Sequence, residues 1–330
     1  MKALVTGGSG FLGQAIVRAL VRRGVEVRCF SRQNHDALTR MDVSQQCGSL
    51  IDAAAVAQAV QGCDLVYHVA ARPGIWGDYE DYFQTNVTGT QNVIAACRLH
   101  GVTRLVYTSS PSVVFNGRDM AGVDESAPYP TNFEAHYPRT KALAEQLVRA
   151  ANDAHIATVS LRPHLIWGPG DNHLLPRLLA RARAGQLARI GSRPNLIDTI
   201  YVDNAADAHL LAAERLAPGS AISGKVYFIS QGEPIPMWEM VNKLLDAAGA
   251  PPVSRRVPVW LALSLAAAFE GTYRLLKIDG EPRLTRFVVS EMSTAHWFDI
   301  SAARRDLGYS PRVSIADGLK QLRDSFQSAL

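Results

Sequence analysis

The chain has 330 residues, 47% of them hydrophobic and 19% charged, which excludes disorder and allows a sizeable core divided between one large domain and a smaller one. Its 34 Lys and Arg stand against 30 Asp and Glu, a formal net charge of only +4, and the arginines are scattered rather than massed, so a nucleic-acid partner has no support. The cysteines, Cys29, Cys47, Cys63 and Cys97, have no C-x-x-C spacing and no His/Cys cluster has ligand spacing; buried thiols in a reducing cytoplasm are expected, and no metal.

Ala3–Thr6 reads as a short strand beginning too close to the start for a signal peptide, which again points to the cytoplasm. Gly7, Gly10 and Gly13 follow in G-x-x-G-x-x-G spacing, then Phe11, Ile16, Val17, Leu20 and Val21 at helical intervals, with Gly24 closing the helix. Strand, tight turn and helix in that order suit a dinucleotide. Gly7 permits the turn, Gly10 lets the backbone approach a pyrophosphate, and Gly13 lets helix pack on strand. The diphosphate then lies over the helix N-terminus formed by Phe11, Leu12 and Gly13. A second strand, Val25–Phe30, ends in Ser31 and Arg32 where an NAD site usually has an acidic residue; a hydroxyl beside a guanidinium suits a 2′-phosphate and favours NADP(H) over NAD(H).

A helix over Ala53–Gln61 precedes Asp64–Ala71, an almost wholly apolar strand whose end, Ala70-Ala71, leaves room for a cofactor. Tyr79–His100 reads as one long helix, Arg104–Ser109 as a strand, Pro138–Asp153 as a helix and Ala157–Leu161 as a strand reaching Arg162-Pro163. This alternation specifies an α/β fold, a Rossmann doubly wound parallel sheet with ligands at the carboxyl ends of its strands. After Gly168-Pro169-Gly170 the alternation loosens into helices at Leu174–Ala184 and Asn204–Leu216, a strand at Lys225–Ser230 and a helix at Pro236–Ala248. The expected division is a nucleotide-binding domain over 1–170, with about 196–230 returning to it, and a smaller, discontinuous C-terminal α/β cap over 171–330. Val257–Phe269 is the most apolar window, yet Glu270 ends it short of the roughly 20 residues that span a bilayer. It reads as a core helix of the cap, as a greasy wall or lid for a long-chain substrate, or as a surface for a membrane or partner.

Tyr137 and Lys141 form Y-x-x-x-K and share one helix face. A phenol titrates near 10, and a nearby ammonium lowers it toward the range useful at neutral pH; Lys141 can also reach a cofactor ribose. The preceding strand ends in the hydroxyl cluster Thr108, Ser109, Ser110 and Ser112, where Ser109 or Ser110 can donate a hydrogen bond to a carbonyl while the phenol supplies the proton.

Together these motifs resemble the extended short-chain dehydrogenase/reductase superfamily: TGGSGFLG at Thr6–Gly13, YHVAA at Tyr67–Ala71, NVTGTQNV at Asn86–Val93, YTSS at Tyr107–Ser110, YPRTK at Tyr137–Lys141, LRPHLIWGPGD at Leu161–Asp171 and YVDN at Tyr201–Asn204. Within it the chain looks like the 3β-hydroxysteroid dehydrogenase branch, and more narrowly it is similar to bacterial reductases of 2-alkyl-3-oxoalkanoates in long-chain olefin biosynthesis. The resemblance implies Tyr137 as proton donor, Lys141 as its partner, Ser110 as the third catalytic hydroxyl, Pro163 and His164 as the turn lining the nicotinamide, and Asp203 as a tie between cap and core. Asn86 matches a helix residue beneath the site, with a structural role as good an account of it. One departure stands out: Gly48-Ser49-Leu50 replaces the usual G-D-L at the adenine, and Asp52 is no assured substitute.

The implied activity is NADPH-dependent reduction of a long-chain β-keto acid, a 2-alkyl-3-oxoalkanoic acid, to the 2-alkyl-3-hydroxy acid. Arg162, Arg283 and Arg286 are candidates for the substrate carboxylate. The resemblance also implies side-by-side homodimers and association with other olefin-pathway enzymes. Alternatives are a steroid 3β-ol dehydrogenase, a nucleotide-sugar epimerase or dehydratase, and a non-catalytic NADPH-sensing module.

Overall fold

The computed structural model describes residues 1–328. Seven parallel strands form the main sheet: β1 (Lys2–Thr6), β2 (Glu26–Ser31), β3 (Ser44–Cys47), β4 (Leu65–His68), β5 (Arg104–Thr108), β6 (Ala157–Pro163) and β7 (Val226–Ile229), in the order β7-β6-β5-β4-β1-β2-β3. The order reverses at β1, so the chain winds outward from β1 in both directions and leaves a crevice between the ends of β1 and β4. Every residue of β4 and β6 is buried, as strands covered on both faces must be. Alternate residues point to opposite faces and feed two cores: Ala3, Val5, Tyr67 and Val106 enter one, Leu4, Val66, Leu105 and Tyr107 the other.

Helices α1 (Phe11–Arg22) and α2 (Ala53–Val60) follow the first and third strands. The stretch read as one helix over 79–100 is Tyr79–Phe83, Gln84–Thr88 and Gly89–Leu99, together α3; its middle turn is widened to a π-helix and holds the buried Asn86. Helix α4, which carries Tyr137 and Lys141, is His136–Ala150, and α5 (Leu174–Arg183), α6 (Val202–Arg215) and α7 (Met237–Ala247) occupy the positions expected for them. A second, four-stranded sheet is knitted from Ile235–Pro236, Leu196–Ile197, His296–Phe298 and Met120–Val123, pieces far apart in sequence. Asp203 reaches Arg18 on α1 at 3.9 Å, so it links two helices flanking the main sheet rather than cap and core. The tie to the C-terminal segment is its neighbour Asn204, whose Oδ1 accepts from the amides of Arg312 and Val313 at 2.9 and 3.0 Å.

Two other expectations are corrected. Cys29, Cys63 and Cys97 are buried, but Cys47 is exposed at the end of β3, with its Sγ donating to Asn34 Oδ1 at 3.0 Å. The apolar window lies in α8 (Val259–Leu275), which is neither a core helix nor a wall of the cavity described below: only Ala262, Ala266 and Glu270 are buried. Small residues let α8 lie flat on α9 (Arg286–Ser293), where Ala262 and Ala266 meet Val289, and the large side chains turn outward.

Four buried histidines make the fold sensitive to acid. Burial lowers His68 to about 3, His164 and His209 to about 4 and His296 to about 3. Their folded values lie below the unfolded one, so the unfolded chain binds more protons across the interval from about 6.5 down to about 4, and stability is lost as pH falls through it, by about 1.4 kcal/mol per unit for each histidine held neutral. Glu291, pushed up to about 7 by burial, acts oppositely and offsets one of the four. Urea midpoints are expected to fall steeply between pH 6.5 and 4.5, and more gently in His209→Gln; equal slopes would exclude this origin.

Candidate active site

The crevice at the sheet's switch point is built by close backbone approach. Gly7 has φ +69°, and a Cβ there would stand 2.8 Å from Ala70 Cα. A Cβ on Gly13 would stand 2.9 Å from Gly8 Cα, so any side chain would push α1 off β1. Ala70, whose amide donates to Thr6 Oγ1 at 3.2 Å, closes the other wall and continues into Ala71. Gly10 caps α1 without a side-chain acceptor, and the first turn, Phe11, Leu12 and Gly13, carries no acidic residue. Its amides and the helix dipole are therefore left for an anion, and the cradle fits a dinucleotide diphosphate.

At the end of β2, Ser31 Oγ donates to Gln33 O at 2.8 Å, and Arg32, the next residue, is exposed. Asp52 is committed elsewhere: as N-cap of α2 its Oδ1 accepts from the amides of Ala54 and Ala55, both at 3.0 Å. Of the departed adenine motif, Ser49 alone remains as a side-chain hydrogen-bonding group.

Tyr137 and Lys141 lie on the first two turns of α4. That helix is anchored from below by Asn86, which bridges Arg72 and Thr140: its Oδ1 accepts from the Arg72 amide at 2.7 Å and its Nδ2 donates to Thr140 Oγ1 at 3.0 Å. Asn86 thus ties the loop after β4 to α4, and the wide turn in α3 is what aims it. Lys141 is fully buried; its Nζ donates to Thr108 O at 2.6 Å and lies 4.1 Å from the Tyr107 ring centroid. Burial pulls its ammonium down to about 7, opposed by the charge of Glu145.

Glu145 is itself one turn further along α4, clamped by Arg162 at 2.9 Å through Nε and by the Tyr129 hydroxyl at 2.6 Å. Burial alone would raise that carboxyl; the Arg162 hydrogen bonds and charge outweigh it and hold it below the usual range. Arg162 is therefore spoken for and cannot receive a substrate. The expectation that Lys141 lowers the phenol also needs correction. Lys141 is not among the groups that set the Tyr137 phenol: burial pushes it up to about 12, with the Ser110 hydroxyl pulling it down and Glu291 pushing it further up.

A cavity of about 560 Å³ opens beside this pair, lined by Ser110, Tyr137, Pro163 and His164 at one end and by apolar side chains of α5, α7 and α9. Of the two candidate serines, Ser110 faces the cavity, its Oγ 2.9 Å from Ser112 Oγ, whereas Ser109 is buried on the side of Glu145. His164 Nδ1 donates to Asp198 O at 2.6 Å and burial keeps the ring neutral, so it is a wall and not an acid. Leu165 next to it has φ +45°, a strained turn at the cavity wall.

Among the cavity's arginines, Arg283 was expected, and Arg286 is instead paired with Glu270 at 2.9 Å. Arg177, Arg181 and Glu291 were missed. Leu174, Arg177, Leu178 and Arg181 recur at helical spacing on one face of α5, a pattern that could have marked the two arginines as lining residues. No such signal marks Glu291.

Residues 4–259 match the 3-beta hydroxysteroid dehydrogenase/isomerase family. The chain is 54% identical over 328 residues to the 2-alkyl-3-oxoalkanoate reductase of Stenotrophomonas maltophilia, covering 98% of this chain and 99% of that one. It is 48% identical to the 2-alkyl-3-oxoalkanoate reductase of Shewanella oneidensis, covering 98% and 86%. A UDP-glucose 4-epimerase of Thermus thermophilus, solved in complex with NAD, superimposes with a TM-score of 0.76 over 100% of both chains at 23% identity, a likeness of fold. The parallel sheet, its glycine cradle and the matched span lead to one assignment: the chain belongs to the 3-beta hydroxysteroid dehydrogenase/isomerase family and is an oxidoreductase acting on CH–OH and C=O groups.

Proposed function

We propose that the enzyme reduces 2-alkyl-3-oxoalkanoic acids to 2-alkyl-3-hydroxy acids with NADPH. The observation that carries the reading is the meeting of Ser110 and Tyr137 on one wall of an apolar cavity, at the carboxyl edge of the sheet and one helical turn from Lys141. The names of the two bacterial relatives support the substrate class, and the apolar side chains that line the cavity suit alkyl chains.

The glycine cradle of Gly7, Gly10 and Gly13 with the amides of Phe11 and Leu12 would hold the diphosphate, Ala70, Ala71, Pro163 and His164 would border the nicotinamide, and Lys141 would meet the ribose. When bound, the reduced nicotinamide supplies a hydride to the carbonyl carbon. Ser110 Oγ donates a hydrogen bond to the carbonyl oxygen and holds the charge that grows there. Tyr137 gives its phenolic proton to that oxygen, with the Ser110 hydroxyl beside it pulling the phenol down against the burial that raises it. Lys141, fixed by Thr108, orients the pair. Arg181 and Arg283 line the cavity and offer cationic groups for the acid.

In this reading residues 1–170, with about 196–230 returning, carry the nucleotide and 171–330 the substrate. The enzyme works in the cytoplasm as a side-by-side homodimer near other enzymes of olefin synthesis. The deciding assay is NADPH consumption against a 2-alkyl-3-oxoalkanoic acid, a 3-oxosteroid and a UDP-sugar. Turnover on the acid is expected; turnover on the steroid or the sugar alone would replace the reading.

Arg32 separates the two nucleotides. Arg32→Asp is expected to raise the KM for NADPH about 10- to 100-fold, the loss of one charge-assisted hydrogen bond, while lowering that for NADH. Unchanged constants for both nucleotides would remove Arg32 from the cofactor site.

A further inference from the structure

Each reduction takes a proton from Tyr137, and the phenol must recover one before the next turnover. The two polar side chains nearest to it in the chain's own catalytic set are poorly placed to return it. Lys141 Nζ is turned to Thr108 O at 2.6 Å and is not among the groups that act on the phenol. Ser110 Oγ, 2.9 Å from Ser112 Oγ, is a hydroxyl and holds its own proton at neutral pH.

The rest of the cavity offers few acids. Burial keeps His164 and His296 neutral, and each is already hydrogen-bonded: His164 Nδ1 donates to Asp198 O, and His296 Nε2 lies 2.7 Å from Thr294 Oγ1. On the side of α5, Arg177 pairs with Glu281 of the loop before α9 at 3.2 Å, and His173 stands exposed at the start of the helix. Arg181 and Arg283 never release their protons near neutral pH.

Helix α9 differs. It turns Phe287, Val288, Glu291 and Met292 to the cavity, three apolar side chains around one carboxyl. Among the described residues no cation pairs with Glu291: Arg177 is taken by Glu281 and Arg286 by Glu270. Glu291 and Tyr137 line the same cavity, close enough for the carboxylate to act on the phenol. Burial, helped by the like charge of the exposed Glu134 just before α4, raises the Glu291 carboxyl to about 7. It is therefore divided between acid and carboxylate at neutral pH, and a phenol pushed up to about 12 takes a proton from such an acid downhill.

We propose that Glu291 is the relay residue that reloads Tyr137, its carboxylic O–H passing a proton to the phenolate left after reduction and the carboxylate then taking one from solvent. One O–H bond breaks on Glu291 as one forms on Tyr137, so the proton in each product is replaced in the end from water. This relay rests on the reading of Tyr137 as proton donor, and Glu291 acts through it.

Pre-steady-state reduction of a 2-alkyl-3-oxoalkanoic acid with NADPH tests it. In Glu291→Gln, which keeps the size and polarity of the side chain, the first turnover spends the proton already on Tyr137 and is expected at the wild-type rate. The turnovers after it should run about tenfold slower or more, giving a burst. Wild-type steady-state kcat should fall as pH rises through about 7, because the carboxylate has no proton to pass. That limb is expected to vanish in Glu291→Gln, to return in Glu291→Asp, and to move to lower pH in Glu134→Gln. A limb surviving in Glu291→Gln would belong to Lys141, also pulled down to about 7, and would overturn the proposal. So would a wild-type steady state in that variant, or a change in KM alone. If Tyr137→Phe completes its first turnover at the wild-type rate, the reading of Tyr137 as donor fails, and the relay with it.

Discussion

Tyr137→Phe is expected to lower kcat/KM by about 10²- to 10⁴-fold while leaving nucleotide affinity nearly unchanged. The substitution removes one oxygen from a wall of the cavity and leaves the ring, the α4 backbone and the Lys141 to Thr108 bond in place. Its effect therefore falls on proton donation. Ser110→Ala should be milder, because the neighbouring Ser112 hydroxyl, 2.9 Å away, remains to meet the carbonyl oxygen. Steady-state rates with titrated NADPH binding check both. A Tyr137→Phe enzyme retaining the wild-type rate would place the proton donor elsewhere.

The second large effect is on stability. Glu145→Leu is expected to destabilise the fold by about 3–5 kcal/mol, because it strands the Arg162 guanidinium inside the protein. The side chains of Glu145 and Arg162 are 0% and 2% exposed, and the Tyr129 hydroxyl loses its acceptor as well. Replacing both, Glu145→Leu with Arg162→Met, should recover most of the loss, since no charge is then left unpaired. Denaturant unfolding of the two single variants and the double measures it. Additive losses in the double variant would mean that the pair acts through packing alone.

How much of this was legible beforehand differs from element to element for physical reasons. The glycine turn, the buried strand at β4 and the Tyr137/Lys141 pair are local: spacing along a few residues decides which atoms approach, so sequence suffices. Helices α1 to α7 were placed to within a few residues, and Asn86 was seen as a position beneath the site, though the wide turn that aims it has no simple spacing signal. What was misread depends on distant partners. Lys141 was credited with tuning the phenol, yet its direction is set by Thr108 on another strand and by a carboxylate that the Arg162 of β6 stabilises. The tie expected of Asp203 falls to Asn204, because the C-terminal loop at Arg312 and Val313 folds back on Asn204 while Asp203 turns to Arg18.

The apolar window shows the same limit from another side. Its composition alone fits a core helix, a wall or a surface, and only the packing of Ala262 and Ala266 on α9 determines that Trp260, Leu265 and Leu275 face outward. Arg177, Arg181 and Glu291 join the cavity through helices whose mutual placement no short motif encodes.

The most direct measurement follows deuterium from the reduced nicotinamide of labelled NADPH, in a single turnover with a 2-alkyl-3-oxoalkanoic acid. The label is predicted at C3 of the 2-alkyl-3-hydroxy acid with the wild-type enzyme, at a rate that collapses in Tyr137→Phe. An unlabelled product, or equal transfer by both enzymes, would contradict a site in which Ser110, Tyr137 and Lys141 serve carbonyl reduction.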